Sequence, residues 1–326
     1  MPVLYGILSI VLAAWLVTRL ATVLINFRFP PLGTFMQVQG ARMHVLDLAA
    51  PADAAPDAPV FVLLHGASGN IRDALGSMGY SLNEKYRVVL IDRPGQGHSQ
   101  KKYRHQSDPR IQADMVADVM DRLEIGRAVV VGHSWGGAVA AAFGYQHRDK
   151  AAALVFVAPA THPWPGGIDW HYKIGAKPLI GRVFAELLAF PFGIGLVPCA
   201  LRAIFRPGEP PETYRETVGA ALVLRPASFL ANCQDIADLF ANVVAMQARY
   251  PEIDCPVEIV TGDSDYIVAP AIHSYGLARD IRGAALTVLP GVGHMPQWSE
   301  PAGVLGVIER AAERSRQAVS LRQAAE

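Results

Sequence analysis

Short runs that are apolar at nearly every position alternate along the chain with longer segments whose apolar residues recur at helical spacing. Runs of strand length occupy residues 60–64, 87–91, 152–157, 257–260 and 285–289, and another begins at Ala128. A run that is apolar at every position is typical of a strand covered by helices on both faces. The sequence therefore predicts a sheet with a layer of helices on each side.

The segments between these runs supply the helices. Residues 110–123 place six apolar side chains on one face of a helix: Ile111, Met115, Val116, Val119, Met120 and Leu123. We expect further helices at residues 270–279 and from about Glu300 onward. Strands that alternate with helices predict an α/β fold with a mostly parallel sheet.

Two segments depart from this alternation. Residues 35–39 and 43–48 alternate apolar and polar positions around Gly40, which predicts a short antiparallel hairpin, and residues 49–59 predict a loop. Residues 159–248 contain many glycines and prolines, several aromatic residues and apolar helical stretches, but no run of strand length. We predict an inserted helical cap (lid) over residues 159–248, on a core formed by residues 33–158 and 249–326. No internal repeat is visible.

The first 30 residues form a third kind of segment. No residue from 2 to 18 is charged, and the apolar character resumes after Arg19 and ends at Arg28 and the Pro30–Pro31 pair. At 1.5 Å per residue this uncharged helix covers roughly 25 Å, close to the about 30 Å core of a bilayer if Arg19 reaches the interface. We predict a single-pass transmembrane anchor at residues 1–30. A cleaved signal peptide is the alternative, although a basic N-terminal region and a clear cleavage site are missing.

The charges near this segment predict its orientation. Arg19, Arg28 and Arg42 all follow the uncharged run, which favours a cytoplasmic position for the rest of the chain. The expected location is a bacterial-type inner membrane.

The overall composition excludes several classes of protein. The chain has 326 residues, of which 51% are hydrophobic, so a sizeable core is expected and disorder is excluded for most of the chain. Lys and Arg number 29, as do Asp and Glu, so no net charge directs the protein to nucleic acid. The three cysteines, Cys199, Cys233 and Cys255, are widely spaced, which fits neither a disulfide framework nor a zinc site.

A serine stands where the apolar run from Ala128 stops and an alanine-rich helix is predicted to begin. The pattern is Gly132-His133-Ser134-Trp135-Gly136. Because the glycines lack Cβ atoms, the strand and the helix can approach closely around the serine. Such a turn would hold the Ser134 hydroxyl at a helix N-terminus, and the Trp135 N–H would face the oxyanion that forms when Ser134 attacks a carbonyl carbon. A glycine turn that only packs a helix on a strand is the alternative.

A serine nucleophile needs a base, and the base needs a carboxylate that orients it. One predicted strand is followed by Gly262-Asp263-Ser264-Asp265, and the next by Pro290-Gly291-Val292-Gly293-His294-Met295. In a parallel sheet these loops share one edge with the Ser134 turn. Asp265 and His294 can therefore meet Ser134 although they are distant in sequence.

Together these motifs resemble the α/β-hydrolase superfamily, and the resemblance covers the chain from Gly33 to about Arg314. Five segments carry it: LLHGAS at 63–68, IDRPGQGHS at 91–99, GHSWGG at 132–137, GDSDYIVAP at 262–270 and GVGHMPQWSEP at 291–301. The order Ser, Asp, His is the order of that fold. The resemblance implies a catalytic triad of Ser134, Asp265 and His294. It favours Asp265 over Asp263 because the family places the acid three residues after the glycine that ends the strand.

The resemblance also implies the rest of the catalytic machinery. The backbone N–H groups of Ala67 and Trp135 would form the oxyanion hole, and neither a metal nor an organic cofactor is needed. The segment LLHGAS departs from the HGGG pattern of one esterase subgroup, which leaves the cap-bearing enzymes. A serine at position 134 argues against dehalogenase and epoxide hydrolase chemistry, for which the family places an aspartate there.

Several other residues allow a structural reading. His65, His98 and His133 are each expected to hold a loop or turn rather than to act as a base. Six side chains of the predicted cap could either line a substrate pocket or pack the cap on the core: Trp164, Trp170, His171, Phe184, Phe190 and Phe192. The sequence does not separate these two roles.

From the sequence we predict a membrane-anchored serine hydrolase that cleaves carboxylic esters with an apolar acyl or alcohol part. The predicted walls of the pocket are the apolar stretches 183–192 and 229–244. Hydrolysis of a carbon–carbon bond in a diketone-like substrate is the enzymatic alternative; it would need cationic groups, for which Arg182, Arg202 and Arg225 are the candidates. A ligand-binding receptor on the same fold is the non-enzymatic alternative. The oligomeric state is not predicted.

Overall fold

The computed structural model describes residues 1–55 and 57–325. Within this range eight strands form one sheet in the order β1-β2-β4-β3-β5-β6-β7-β8. The strands are β1 (Thr34–Val38), β2 (Ala41–Leu48), β3 (Val60–Leu64), β4 (Val88–Ile91), β5 (Ala128–His133), β6 (Ala151–Val157), β7 (Val257–Gly262) and β8 (Ala285–Leu289). The first two pairings, β1 with β2 and β2 with β4, are antiparallel, and all others are parallel. The chain therefore has the predicted α/β-hydrolase fold with a mostly parallel sheet.

The helices of the described residues are α1 (Pro2–Arg28), α2 (Ile71–Ala74), α3 (Tyr80–Asn83), α4 (Pro109–Arg122), α5 (Trp135–Gln146), α6 (Trp170–Gly175), α7 (Pro178–Phe184), α8 (Phe190–Phe205), α9 (Tyr214–Thr217), α10 (Pro226–Met246), α11 (Ser274–Asp280), α12 (Pro296–Ser299) and α13 (Pro301–Ala325). π-Helical turns lie at Leu75–Gly79 and Ala185–Ala189, and 3-10 turns at Arg104–Ser107, Ala220–Leu224 and Gln247–Glu252.

Both faces of the sheet are buried, which explains why the parallel strands are apolar at most positions. Successive residues of β5 show the alternation. Val130 joins the core cluster beneath α4, α5 and α10. Val129 and Val131 join the cluster on the other face, where α13 packs through Val304 and Ile308. The result is a helix–sheet–helix sandwich.

The strand order creates the position for a site. The chain runs from β3 to β4 on one side of β3, and later returns to β5 on its other side. At such a reversal the loops at the carboxyl ends of the strands diverge and leave a crevice. The loops after β3 and β5 border this crevice, and those after β7 and β8 lie further along the same edge of the sheet.

Most predicted elements have the expected bounds, and the hairpin is present as β1 and β2. The helix expected at residues 270–279 begins later, at Ser274. Pro270 starts a turn instead, in which the Tyr275 N–H donates to the Pro270 carbonyl oxygen. The division of the chain into a core and a cap stays a prediction. Residues 159–248, between the neighbouring strands β6 and β7, contain helices and turns but contribute no strand.

Two helices of the described residues are long and apolar enough to cross a membrane. One is α1, and the other runs without a break from Pro178 to Phe205, through α7, a π-helical turn and α8. Only 11% of the most apolar window of each helix is buried. The two helices lie against each other. Arg19 of α1 pairs with Glu186 at 2.8 Å, and Ile25 packs in a cluster with Phe190 and Leu222.

Candidate active site

Ser134 stands on the sharp turn between β5 and α5. Its φ of 51° lies in the left-handed region, which is strained for a residue with a Cβ atom. The flanking glycines have the predicted steric role. A Cβ on Gly132 would lie 2.4 Å from the Gly136 carbonyl oxygen, and a Cβ on Gly136 would lie 2.5 Å from the Leu64 carbonyl oxygen. The turn therefore requires glycine at both positions and places the Ser134 side chain at the N-terminus of α5.

The structure brings the three predicted triad residues together. The Ser134 hydroxyl lies 2.9 Å from His294 Nε2, and His294 Nδ1 lies 2.7 Å from Asp265 Oδ2. A carboxylate only accepts hydrogen bonds, so Nδ1 carries the proton and Nε2 is left to accept from the serine hydroxyl. All three side chains are buried. This is the geometry in which a histidine can take the proton of a serine nucleophile.

Asp265 is held as an anion. Its Oδ1 accepts hydrogen bonds from the backbone N–H groups of Ile267 (2.8 Å) and Val268 (2.9 Å). Burial opposes ionisation, but the charge of His294 and these hydrogen bonds together lower the pKa of Asp265 below its ordinary value. Among the described residues, Asp263 forms no hydrogen bond or ion pair with His294. Its Oδ1 accepts from the Gly291 N–H at 2.8 Å and fixes the adjacent turn.

The loop after β3 lies directly beside the serine. A Cβ on Gly66 would be 3.0 Å from Ser134 Cβ, so this loop reaches contact distance. Neither the Ala67 N–H nor the Trp135 N–H has an acceptor among the described residues. Two free N–H groups beside a serine hydroxyl are the donors that a developing oxyanion needs.

His65 and Arg93 hold this loop in place. The Arg93 N–H donates to His65 Nε2 at 3.0 Å, so the proton of the ring is on Nδ1, which donates to the Gly66 carbonyl oxygen at 2.8 Å. Burial, and then the charge of Arg93, lower the pKa of His65 to about 4, so the ring is neutral. The Arg93 guanidinium donates to the carbonyl oxygens of His65 and Gly66, both at 3.0 Å. His65 is thus placed for the predicted structural role.

Two polar residues of α10 also hold the loop, and the sequence did not identify them. Asn232 accepts from the Ser68 N–H at 2.7 Å and donates to the Ser68 hydroxyl at 3.0 Å. Asp235 binds Arg93 at 3.0 Å and Lys101 at 2.7 Å, with both cations buried. A signal was present, because two polar residues three positions apart share one side of a helix that is mostly apolar. Arg93 itself lies within the segment IDRPGQGHS.

Asp73 is a further buried carboxyl group near the triad. Its Oδ1 accepts from Trp298 Nε1 at 2.7 Å and from the Tyr214 hydroxyl at 3.3 Å. Burial raises the pKa of Asp73 to about 6, although these hydrogen bonds and the charge of His294 oppose the rise. Tyr214 belongs to α9, so this carboxyl group joins the segment 159–248 to the helices α2 and α12 that flank the site.

The other two histidines also have structural contacts. His133 Nε2 lies 3.2 Å from the His294 carbonyl oxygen, and burial together with the charge of His294 lowers the pKa of His133 to about 3. His98 Nε2 lies 2.9 Å from the carbonyl oxygen of Phe29, at the end of α1. His98 therefore contacts the end of the N-terminal helix.

The predicted cap aromatic residues mostly pack or face outward. Trp164 packs edge-on to Phe240, and Phe184 lies 5.7 Å from Phe229 between ring centroids. Trp170 and Phe192 are exposed. The stretch 183–192 was expected to form a pocket wall, and this expectation is wrong for Val183, Leu188 and Phe192, whose side chains are exposed on the outer surface.

The three arginines considered for a carbon–carbon hydrolase do not reach the triad. Arg182 and Arg202 are exposed. Arg225 donates to the Leu222 carbonyl oxygen and the Asn26 side chain, and also binds the Gly97 carbonyl oxygen. In the described part of the chain, no group of three or more His, Cys, Asp or Glu side chains is placed to hold a metal ion.

Comparison with known proteins identifies the family of the fold. A model of the alpha/beta hydrolase family matches residues 61–307. The 2-hydroxy-6-oxononadienedioate/2-hydroxy-6-oxononatrienedioate hydrolase of Burkholderia vietnamiensis is 33% identical over 253 residues, which cover 73% of this chain and 81% of the relative.

Solved structures share the architecture at low sequence identity. The enol-lactonase of Burkholderia xenovorans LB400 aligns with a TM-score of 0.66 at 20% identity, over 85% of this chain and 99% of that protein. A membrane phospholipase A aligns with a TM-score of 0.65 at 19% identity, over 96% of both chains. Because this match covers 96% of the chain, it must include part of the 27-residue helix α1. The likeness in fold therefore extends into the N-terminal helix.

Proposed function

The chain belongs to the alpha/beta hydrolase family and is a hydrolase, and from that premise we propose that it cleaves carboxylic esters through an acyl-enzyme on Ser134. One observation carries the proposal: a continuous hydrogen-bonded path joins Ser134, His294 and Asp265 beside the free N–H groups of Ala67 and Trp135. The family includes hydrolases of several bond types, so the substrate class must come from the surroundings of this path.

In the proposed mechanism each group has one task. His294 takes the proton of Ser134 as the oxygen attacks the ester carbonyl carbon, and Asp265 stabilises the imidazolium that forms. The Ala67 and Trp135 N–H groups bind the tetrahedral oxyanion, aided by the N-terminus of α5. His294 then protonates the leaving alcohol, and water, activated by the same histidine, releases the acid and restores Ser134.

The surroundings of His294 favour an apolar substrate. Met295 clusters with Phe205, Tyr214 and Val218 of the segment 159–248. The backbone of Arg206 lies directly on Gly293, because a Cβ on that glycine would be 1.9 Å from the Arg206 carbonyl oxygen. An active site bordered by an apolar cluster of this kind suits an aliphatic or aromatic group, and each buried methylene adds about 0.8 kcal/mol to binding.

Carbon–carbon bond hydrolysis is the second candidate, because the Burkholderia vietnamiensis relative bears the name of such an enzyme. That reaction on a dienoate requires groups that hold a carboxylate. Arg182 and Arg202 are exposed, and Arg225 is engaged elsewhere. The ester proposal therefore comes first.

A comparison of substrates separates the two candidates. We expect kcat/KM for a series of nitrophenyl esters to rise from acetate to medium acyl chains, and a vinylogous diketone acid to be cleaved more slowly than the best ester. If acetate is the best ester and the diketone is cleaved faster than every ester, carbon–carbon hydrolysis replaces the ester proposal.

We also propose that α1 anchors the protein in a bacterial-type inner membrane, with the catalytic domain facing the cytoplasm. The support is the 27-residue apolar helix whose first 16 residues are exposed or nearly so. The full chain should remain with membranes after high-salt and alkaline washes. Release by alkali would mean peripheral attachment, and a mature N-terminus after Arg28 would mean a cleaved signal peptide.

A further inference from the structure

The long helix from Pro178 to Phe205 exposes an apolar surface that the catalytic mechanism does not use. Its members, which we call the outer cap face, are exposed by 39–81%: Leu179, Ile180, Val183, Leu188, Phe192 and Leu196. The opposite side of the same helix is buried through Gly181, Ala185, Ala189, Val197 and Phe205. A helix with one side packed on the protein and an apolar side exposed marks an interaction surface.

Basic residues outnumber acidic ones along the segment that carries the outer cap face. Five exposed basic residues accompany it between residues 170 and 206: Lys173, Lys177, Arg182, Arg202 and Arg206. The one acidic residue of this segment, Glu186, is neutralised by Arg19 of α1. Within the described residues, none of the five basic side chains forms an ion pair. An apolar patch among Lys and Arg side chains is the composition of surfaces that lie in the interface of an anionic bilayer.

The position of α1 places this surface at membrane depth. Twenty residues cross about 30 Å, so a span counted from Pro2 ends near Ala21. Thr18 and Ala21 are buried, and this stretch contacts the turn that carries Glu186. The contact begins at Thr18 and ends at Ala21, where the span ends. At 1.5 Å per residue, Thr18 therefore lies about 5 Å inside the hydrocarbon core. The cap helix therefore meets α1 at the depth that interfacial helices reach.

We propose that the outer cap face lies in the interface of an anionic lipid bilayer beside α1, without crossing it. This inference rests on the proposed anchoring by α1. The helix cannot span the bilayer in this fold because both its ends are held by the protein. Gly181 packs on the backbone of Gly175, and Phe205 packs with Tyr214 and Met295 next to the triad.

A second copy of the chain fits this surface less well. In a two-fold symmetric dimer the same patch faces itself, so the five basic residues of each copy would face their equivalents. An anionic bilayer instead offers each of them a favourable charge, worth about 1 kcal/mol per residue near the surface. The charge pattern thus favours a lipid surface over a second copy of the chain.

The surface is also joined to the active site. Helix α8 runs from Phe192 in the outer cap face to Phe205, and the next residue, Arg206, lies on Gly293 beside His294. An ester dissolved in the bilayer would thus contact the protein on helix α8, whose C-terminal end lies next to His294.

The native cysteines provide a direct test of depth. Cys199 is exposed on α8, whereas Cys233 and Cys255 are buried. A polarity-sensitive thiol fluorophore on Cys199 of the full chain, in phosphatidylcholine vesicles containing phosphatidylglycerol, should shift to the blue and be quenched by brominated lipid. The matched control carries Cys199→Ser and Tyr275→Cys, which moves the label to an exposed position on α11 of the core. If the emission and the quenching of the Cys199 probe equal those of the Tyr275→Cys probe, the proposal is wrong.

An activity measurement tests the same surface separately. The double variant Phe192→Gln and Leu196→Gln should cleave a water-soluble nitrophenyl ester like the wild type, but should lose severalfold in the hydrolysis of an ester held in the vesicles. Tyr275→Gln is the control and should change neither rate. Equal rates on the vesicle ester for the double variant and wild type contradict the proposal. If the wild type cleaves no ester at all, the proposed function fails, while the fluorophore still decides the position of the cap.

Discussion

The core and the segment 159–248 differ in how completely they bury their apolar side chains. Every residue of β5 is buried, because helices cover both faces of the sheet. Along α8, by contrast, only Val197 and Phe205 are buried, and large apolar side chains face outward. The two regions are joined by buried polar contacts at Asn232, Asp235 and Asp73. Under our proposals, the core fixes the chemistry, whereas the segment 159–248 determines how the substrate and the membrane approach it.

The first prediction tests whether the core alone sets the chemistry. Asp265→Asn should lower kcat by about 10³- to 10⁴-fold, because an asparagine cannot stabilise the imidazolium of His294. Asp263→Asn is the matched control, since an amide oxygen can still accept from the Gly291 N–H. It should change kcat by less than about threefold in the same ester assay. Equal losses in the two variants would contradict the assignment of Asp265.

The second prediction concerns the carboxyl group that joins the two regions. Burial raises the pKa of Asp73 to about 6 in the folded protein. A raised pKa means that this residue favours folding at low pH, and that the benefit is lost as the pH rises through about 6. In Asp73→Asn the loss is absent. The free energy of unfolding of the variant, relative to wild type, should therefore increase by about 2 to 3 kcal/mol from pH 4 to pH 8.

Denaturant titrations of the full chain in detergent at both pH values measure this difference. Asp53→Asn, in the exposed loop before β3, is the control and should show no such change. A difference for Asp73→Asn that stays constant with pH would show that the buried carboxyl group does not resist ionisation.

The third prediction tests the support that the segment 159–248 gives to the loop after β3 that carries Ala67, which we call the oxyanion loop. Asn232→Leu removes both hydrogen bonds to Ser68 and should lower kcat about tenfold, with little change in KM, because the loop that carries Ala67 loses two bonds of about 1 kcal/mol each. Asn242→Leu makes the same change elsewhere on α10 and should leave kcat unchanged. A loss that appears in KM alone would mean that the cap holds the substrate rather than the oxyanion loop.

The same contrast explains what the sequence could predict. The strands, the Ser134 turn and the loops of Asp265 and His294 follow from local patterns: β-branched runs, glycines where a Cβ would clash, and polar residues after strands. The cap lacks such local rules. Phe192 and Phe205 are identical side chains in one apolar helix, yet one faces outward and the other packs beside the triad. That choice depends on α1 and on the loops of the core, which the local pattern does not contain.

The supporting residues of the site were missed for a related reason. Asn232 and Asp235 are more than 90 residues from Ser134, in the stretch 229–244 that the sequence predicted as an apolar pocket wall. Their partners, Ser68 and Arg93, lie in loops whose paths are fixed by tertiary contacts. A polar pair on an apolar helix predicts a buried partner but does not identify it.

The most direct test of the central claim is to trap the acyl-enzyme. The full chain is mixed with a medium-chain nitrophenyl ester and quenched in acid during turnover, and its peptides are examined by mass spectrometry. The account predicts one added acyl group on the peptide that contains Ser134, and no such group in Ser134→Ala, which should also lose ester turnover by several orders of magnitude. An acyl group on another residue, or undiminished turnover by Ser134→Ala, would contradict it.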